Sequence, residues 1–311
     1  MNNFMALQRN NCNIKYAAVI VLYKPELELL NRNISQVLKT SISSLILIDN
    51  SPNELDNGFL LSFNSKIITY VYNNGNKGIA YGLNTGLKIA ENLGYNWVLQ
   101  LDQDSIIPTN MIDVYNTFLV CSHEKVGLLC PTILQGEGKE TGDIACVSHS
   151  LFAITSGSLI NIRAWNDIGC YDEKLFIDGV DHDLCIRLRQ KNYQIIQFDQ
   201  LYLNHRLGIV KRKKILGYNF RVKVGYPPLR MYYIVRNYHY IKKKYKTPDL
   251  ANHPVFNQKL WKKYRIIFLF ENNKIQYLFS ILFAYYYYYK GEFINFEDIV
   301  NKNKFFRYIF H

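Results

Sequence analysis

The sequence predicts an α/β protein, a mostly parallel sheet with helices on both faces, followed by a helical extension. Three observations carry this. Short apolar runs alternate with stretches of helical period over residues 17–120, two of the runs stop at carboxylates, and the charge balance reverses near Arg206. Residues 17–23 form an apolar run closed by Lys24-Pro25, and the helical period of residues 27–38 follows it. Residues 44–48 repeat the pattern and end at Asp49-Asn50-Ser51-Pro52, a turn signal. A third strand is expected over residues 67–72, and the loop Asn73 to Gly78 leads into a helix over residues 79–92. The fourth strand, residues 97–101, ends at Asp102-Gln103-Asp104-Ser105, and a helix starts near Pro108.

The second part of the sheet is less regular. Strand-like runs lie at residues 126–130, 143–154 and 194–198, with a turn at residues 166–169. Leu184, Cys185 and Leu188 put an apolar stripe on a helix whose first turn holds Asp181 and Asp183. Beyond Gly208 a basic loop, Lys211 to Lys214, precedes helices near residues 228–245, 258–271 and 274–290. The expected division is a tail over 1–14, a catalytic domain over 15–208, and a basic, aromatic helical region over 209–311.

At 49 % hydrophobic and 20 % charged, the 311 residues have the composition of a folded globular protein. Residues 206–311 hold 22 Lys and Arg against 5 Asp and Glu, whereas the first 205 hold 15 against 20. The six cysteines, Cys12, Cys121, Cys130, Cys146, Cys170 and Cys185, show no metal-ligand spacing and read as reduced core residues, hence a cytoplasmic protein. The polar start lacks a signal-peptide core, and no run reaches 18 apolar residues, so neither export nor a membrane span is expected. The aromatic, lysine-flanked stretch at residues 281–289 suits either packing on the core or the inner face of an anionic membrane. Nucleic-acid binding, the other use of a basic tail, lacks a recognisable module.

Carboxylates at i and i+2 converge on a hard cation only where a strand has ended in a turn, and such a cation keeps positions open for phosphate oxygens. Asp102 and Asp104 meet that condition at a strand's carboxyl end, where α/β sheets place ligands. The same residues also suit a capping turn, and Asp181 and Asp183 suit a helix dipole.

Four motifs in register discriminate between these readings: Asp102 to Ser105, Thr155 to Leu159, Phe176 to Leu184, and Asn204 to Gly208. Together they resemble the inverting nucleotide-sugar glycosyltransferases of family 2, with the GT-A, Rossmann-like fold, and specifically the rhamnosyltransferase-like branch, over residues 15–240. The resemblance implies a Mg²⁺- or Mn²⁺-dependent hexosyltransferase that moves L-rhamnose from dTDP-rhamnose to a hydroxyl of a lipid-linked surface polysaccharide intermediate such as an O antigen. It places Asp104 and His205 on the metal. Tyr23, Asp49, Lys77, Gly78, Asn84 and Asp102 fall beside the donor, with Asp49 accepting from the N3–H of a pyrimidine. Gly157, Ser158, Asp178, His182 and Asp183 fall on the acceptor side, and Asp181 is the base. Val180 stands where the family pattern has Glu, which leaves Asp178 and Asp183 as rivals to Asp181. A UDP-hexose donor, a non-catalytic nucleotide-binding protein and a metal-dependent nucleotide-sugar hydrolase are the competing readings.

Overall fold

The computed structural model describes residues 14–63, 65–134, 146–204, 209–215, 218–224, 226–245, 253–257 and 259–310. The expected tail over 1–14 therefore lies almost wholly outside the described residues. The chain runs β1 (Tyr16–Leu22), α1 (Leu27–Val37), β2 (Ile42–Asp49), α2 (Asn57–Leu61), β3 (Ile68–Tyr72), α3 (Ile79–Asn92), β4 (Trp97–Asp102), α4 (Met111–Cys121) and β5 (Val126–Leu134). It continues through β6 (Val147–His149), β7 (Ser158–Asn161), α5 (Ile162–Asp167), α6 (Val180–Gln190), β8 (Gln194–Asn204), β9 (Ile209–Ile215) and β10 (Tyr218–Val224). Among the described residues the helices that follow are α7 (Pro228–Lys244), α8 (Leu260–Phe270), α9 (Lys274–Lys290), α10 (Phe296–Asn301) and α11 (Lys304–Phe310).

Eight strands make one sheet in the order β3-β2-β1-β4-β7-β5-β8-β6. All seven residues of β1 are buried, as a central strand covered on both faces requires. Its side chains divide by the period of two: Ala17, Val19 and Val21 enter one core with α3 and α6, while Ala18, Ile20 and Leu22 enter the other with α1 and α4. β1 pairs in parallel with both β2 and β4, Leu22 opposite Asp49 and Val21 opposite Asp102. The two carboxylate-terminated strands thus end on one edge, one on each side of β1.

Past β4 the sheet departs from the parallel pattern. β7 enters antiparallel between β4 and β5, and β6 pairs antiparallel with β8. β7 begins at the end of the Thr155 to Leu159 motif and runs past it, and of the expected run over 143–154 only Val147–His149 is strand among the described residues. The basic loop proves to be a hairpin, β9 pairing antiparallel with β10. The sequence Tyr218-Asn-Phe-Arg-Val-Lys-Val alternates apolar with polar residues, which is the strand period that counting lysines obscured. The cysteines also differ from expectation: no disulfide occurs among the described residues, but Cys121 and Cys146 are exposed and only Cys130 and Cys185 are buried. Cys121 closes α4 just before Ser-His-Glu, so its apolar neighbours did not imply a buried position. Cys12 lies outside the described residues.

The helical extension has a core of its own, in which Tyr232, Tyr233 and Val235 of α7 pack with Ala284 of α9 and Phe296 of α10. Another face of α7 belongs to the sheet, since Ile241, and Tyr245 just past the helix, enter the α3–α6 core. Among the described residues no helix is long and apolar enough to cross a membrane.

Candidate active site

The turn after β4 is locked from three directions. Asn33 of α1, fully buried, donates to the Asp102 carbonyl at 2.8 Å. The Asp102 N–H donates to Ser156 Oγ at 3.2 Å, and Ser156 Oγ donates to Ser105 Oγ at 2.6 Å. Gln103, the middle residue of the acidic pair, clasps the end of β1: its Oε1 accepts from the Tyr23 N–H at 2.8 Å and its Nε2 donates to the Tyr23 carbonyl at 3.3 Å. Tyr23, itself partly exposed, is thereby tied to the acidic turn. Burial, with the neighbouring Asp104 adding to it, pushes the Asp102 carboxyl up to about 6, while Arg230 pulls it back.

Asp102 lines a cavity of about 400 Å³ together with Thr155, Asp178, Asp181, His182 and Arg230. Asp181 stands in the first turn of α6, its Oδ1 accepting from the Thr155 hydroxyl. Burial drives its carboxyl up to about 6; the Thr155 hydrogen bond opposes this, and Asp102 and Asp178 reinforce it. Its two rivals are otherwise engaged. Asp178 is forked by Arg230, with Nε at 2.9 Å and Nη2 at 3.0 Å. Asp183, with no exposed surface, accepts from Arg187 Nε at 2.8 Å, Lys244 Nζ at 2.8 Å and the Tyr245 hydroxyl at 2.6 Å. His182 stacks on Phe152, and burial followed by His253 and Lys263 holds it neutral, its pKa lowered to about 3.

The loop that carries Asp178 is shaped by α7. Asn237 Nδ2 donates to the carbonyls of Leu175, Ile177 and Asp178 at 2.6, 2.8 and 2.8 Å. Arg236, buried beside it, donates to the Lys174 carbonyl at 2.9 Å. Phe176 and Asp178 take φ of 60° and 63°, conformations that cost a non-glycine residue about 1–3 kcal/mol and persist only where neighbours impose them.

Of the residues expected beside a donor, Asp49 ends β2, Lys77 and Gly78 precede α3, and Asn84 lies within α3. Asp49 is fully buried, its Oδ1 accepting from the Ser51 N–H and its Oδ2 from the Tyr70 hydroxyl, each at 2.8 Å. Lys77 lies over the Tyr81 ring at 5.0 Å. Gly78 has φ 87°, and a Cβ there would meet the Phe176 carbonyl oxygen at 2.7 Å. Gly78→Ala is accordingly expected to cost about 1–3 kcal/mol through backbone strain, read as a lowered Tm, and to raise the donor KM by displacing the Lys77 loop. An unchanged Tm would show that this approach is not tight. Asn84 is a staple between α3 and the segment before α6: it donates to the Tyr171 carbonyl and Glu173 Oε1 and accepts from the Tyr171 N–H and Trp165 Nε1.

Gly157 and Ser158 do not line the cavity but follow Thr155, which does. The Gly157 N–H donates to the Gln100 carbonyl, and a Cβ would strike Pro131 at 2.8 Å. Ser158 Oγ donates to the Thr155 carbonyl at 2.6 Å, so this pair positions Thr155, which lines the cavity itself. His205 lies outside the described residues, and among those described no three His, Cys, Asp or Glu side chains cluster as a ready metal cage. The donor set nevertheless fits a hard divalent cation. Asp104 is an exposed carboxylate placed against a second one, Asp102, whose ionisation it opposes.

Thr155, Arg230, Asn237 and Gln103 are the site residues that sequence reading passed over. Arg230 follows Pro227-Pro228-Leu229 at a helix start, and Arg236-Asn237 interrupts an aromatic helix that has no other reason to hold a buried cation. Those two irregularities are the signal that could have found them.

No protein-family model matches the chain. Over 252 residues it is 26 % identical to the dTDP-rhamnosyl transferase RfbF of Shigella flexneri, a span of 76 % of this chain and 82 % of that protein. Among solved structures it is similar to GalNAc-T7 with UDP, GalNAc and Mn²⁺, at a TM-score of 0.54 and 13 % identity over 73 % of this chain and 48 % of the other. It is also similar to S. aureus TarS 1-349 in complex with UDP-GlcNAc, at a TM-score of 0.52 and 14 % identity over 74 % of this chain and 67 % of the other. The chain therefore spans about half the length of GalNAc-T7.

Proposed function

We propose that this chain, a GT-A protein that belongs with the rhamnosyltransferase-like glycosyltransferases of family 2, moves L-rhamnose from dTDP-rhamnose to a hydroxyl of a lipid-linked polysaccharide intermediate with inversion. The observation that supports the transfer step is Asp181, a carboxylate held by Thr155, raised to about 6, and sharing one cavity with Asp102, while the likeness to a dTDP-rhamnosyl transferase supports the choice of donor. A general base works best with a pKa near the working pH, and inversion needs it on the face of the sugar opposite the leaving group. Asp181 takes the proton of the acceptor hydroxyl as that oxygen bonds to the anomeric carbon. The bond from that carbon to the diphosphate oxygen breaks, and the nucleotide leaves with the electron pair.

The Lys77-Gly78 loop holds the nucleotide, Asp49 braces the adjoining end of β2 through Ser51 and Tyr70, and Asp102 faces the ribose side of the diphosphate. Asp104, with His205 by family resemblance, would hold Mg²⁺ or Mn²⁺, which when bound neutralises charge on the diphosphate leaving group. Arg230 stands at the same edge and adds a fixed positive charge beside the developing one. His182, neutral and stacked, forms an apolar wall on the acceptor side.

A donor screen by mass spectrometry tests the reading, comparing dTDP-rhamnose with UDP-hexoses, with Mn²⁺ or with EDTA, and with or without a lipid-linked oligosaccharide. The expected result is consumption of dTDP-rhamnose that needs both metal and acceptor. Consumption of a UDP-hexose alone overturns the rhamnose assignment, acceptor-independent release indicates a hydrolase, and binding without release indicates a non-catalytic protein.

A further inference from the structure

The helical extension presents surfaces that a water-exposed helix does not ordinarily carry. In α9 the outward positions are Ile275, Leu278, Leu282, Tyr286 and Tyr289, at spacings of 3, 4, 4 and 3 residues. Those spacings line one helix face. Ile275 is 63 % exposed, Leu282 52 % and Tyr289 79 %, so the face that meets solvent is the apolar one. On α8, Trp261, Phe268 and Leu269 stand out beside Lys262 and Arg265. On α11, Phe305 and Tyr308 stand out beside Lys304 and Arg307. Ile275 and Tyr308 border the same surface depression, which joins α9 to α11.

The charge on these helices identifies the occupant. α8, α9 and α11 hold seven Lys and Arg and no Asp or Glu. Two copies of so basic a surface repel one another, while an anionic bilayer attracts both the cations and the aromatic rings between them. Bulky apolar groups interleaved with Lys and Arg, on helices too short to span, are the pattern of a surface lying in the headgroup region.

We infer that the outward faces of α8, α9 and α11 form a docking surface for an anionic membrane, with the Ile275–Leu282–Tyr289 stripe entering the interface and the flanking cations meeting lipid phosphates. The orientation follows from α8. Lys263 lines the Asp181 cavity, whereas Trp261, Arg265 and Phe268 lie on the opposite side of the same helix. One helix diameter, about 10 Å, therefore separates bilayer from cavity, the reach of an acceptor sugar on a membrane-anchored lipid. This last step rests on the transferase reading; the docking surface itself does not.

Vesicle sedimentation of the full chain, without donor or acceptor, tests the inference. The wild type is expected to pellet with phosphatidylcholine vesicles containing phosphatidylglycerol, to remain in solution with phosphatidylcholine alone, and to be released by high salt. The triple variant Ile275→Glu, Leu282→Glu, Tyr289→Glu is expected to bind about tenfold or more weakly with its Tm unchanged, since all three side chains are exposed. Leu282→Glu alone takes its place if the triple variant fails to fold. Wild-type protein that ignores anionic vesicles, or a variant that binds them as well as wild type, overturns the inference. A dimer that the same substitutions dissociate, with no vesicle binding, assigns the face to a second copy and overturns it as well. Vesicle binding in a protein that turns over no donor removes the transferase reading and leaves the surface standing.

Discussion

Asp181→Asn is expected to lower kcat by about 10²–10⁴-fold while leaving donor affinity near the wild-type value, because only the proton acceptor is lost. Asn keeps an oxygen for the Thr155 hydroxyl, so the loop geometry survives. The same variant is expected to be more stable than wild type at neutral pH. Folding raises this carboxyl to about 6 from the ordinary carboxylate range near 4, so it is the ionised form that the fold disfavours. Its contribution to stability is therefore lost as pH rises from about 4 through about 6, and a side chain that cannot ionise avoids that loss. After allowance for partial solvation, a gain of about 1–2 kcal/mol above pH 6 is expected, visible as a raised Tm. Wild-type turnover should fall as pH drops through about 6. Full transfer by Asp181→Asn, or an unchanged Tm across that range, would remove the assignment.

Asp183→Ala is expected to act in the opposite sense. It leaves Arg187, Lys244 and Tyr245 without the buried carboxylate they share, and breaking such a cluster from one side costs about 3–5 kcal/mol. Thermal unfolding should show a large loss of Tm, with little change in kcat per folded molecule at a temperature where the variant is still native. An Asp183→Asn protein of wild-type Tm that binds donor and transfers nothing would make Asp183 the base instead. The two carboxylates sit two residues apart in one helix turn. Their different fates come from what packs over them: Asp183 points into the core under Lys244 and Tyr245, and Asp181 lines the cavity.

Apart from the five-residue α2, too short to show a period, the strands and helices up to α4 were legible because each is a contiguous run with its own period. Asp49 and Asp102 could be placed on one edge from alternation alone, since parallel neighbours necessarily end on the same side of a sheet. The antiparallel insertion of β7 was not legible, because a four-residue strand carries no measurable period and its partners lie about 30 or more residues away. The choice among Asp178, Asp181 and Asp183 also stayed open in the sequence. What separates them is contributed by Arg230, Lys244 and Tyr245, some 50 to 60 positions further on, and local spacing holds no record of such partners. Gln103 was visible but unread; between two carboxylates it passed for a spacer, although its amide ties the acidic turn to the end of β1.

Asn237 also sets an order of assembly. The loop it shapes precedes it by about 60 residues, and Phe176 and Asp178 have no local reason to hold positive φ without it. During synthesis, a chain that has emerged only through β8 already displays every acidic motif and has Asn84 and the Ile79 N–H to hold Tyr171 and Phe176, but it lacks the Asn237 and Arg230 contacts to residues 175–178. The loop is completed only when α7 arrives, and α7 leads directly into the helices proposed to meet the membrane. The shaped loop and the proposed membrane-facing surface thus depend on one part of the chain, which begins at α7.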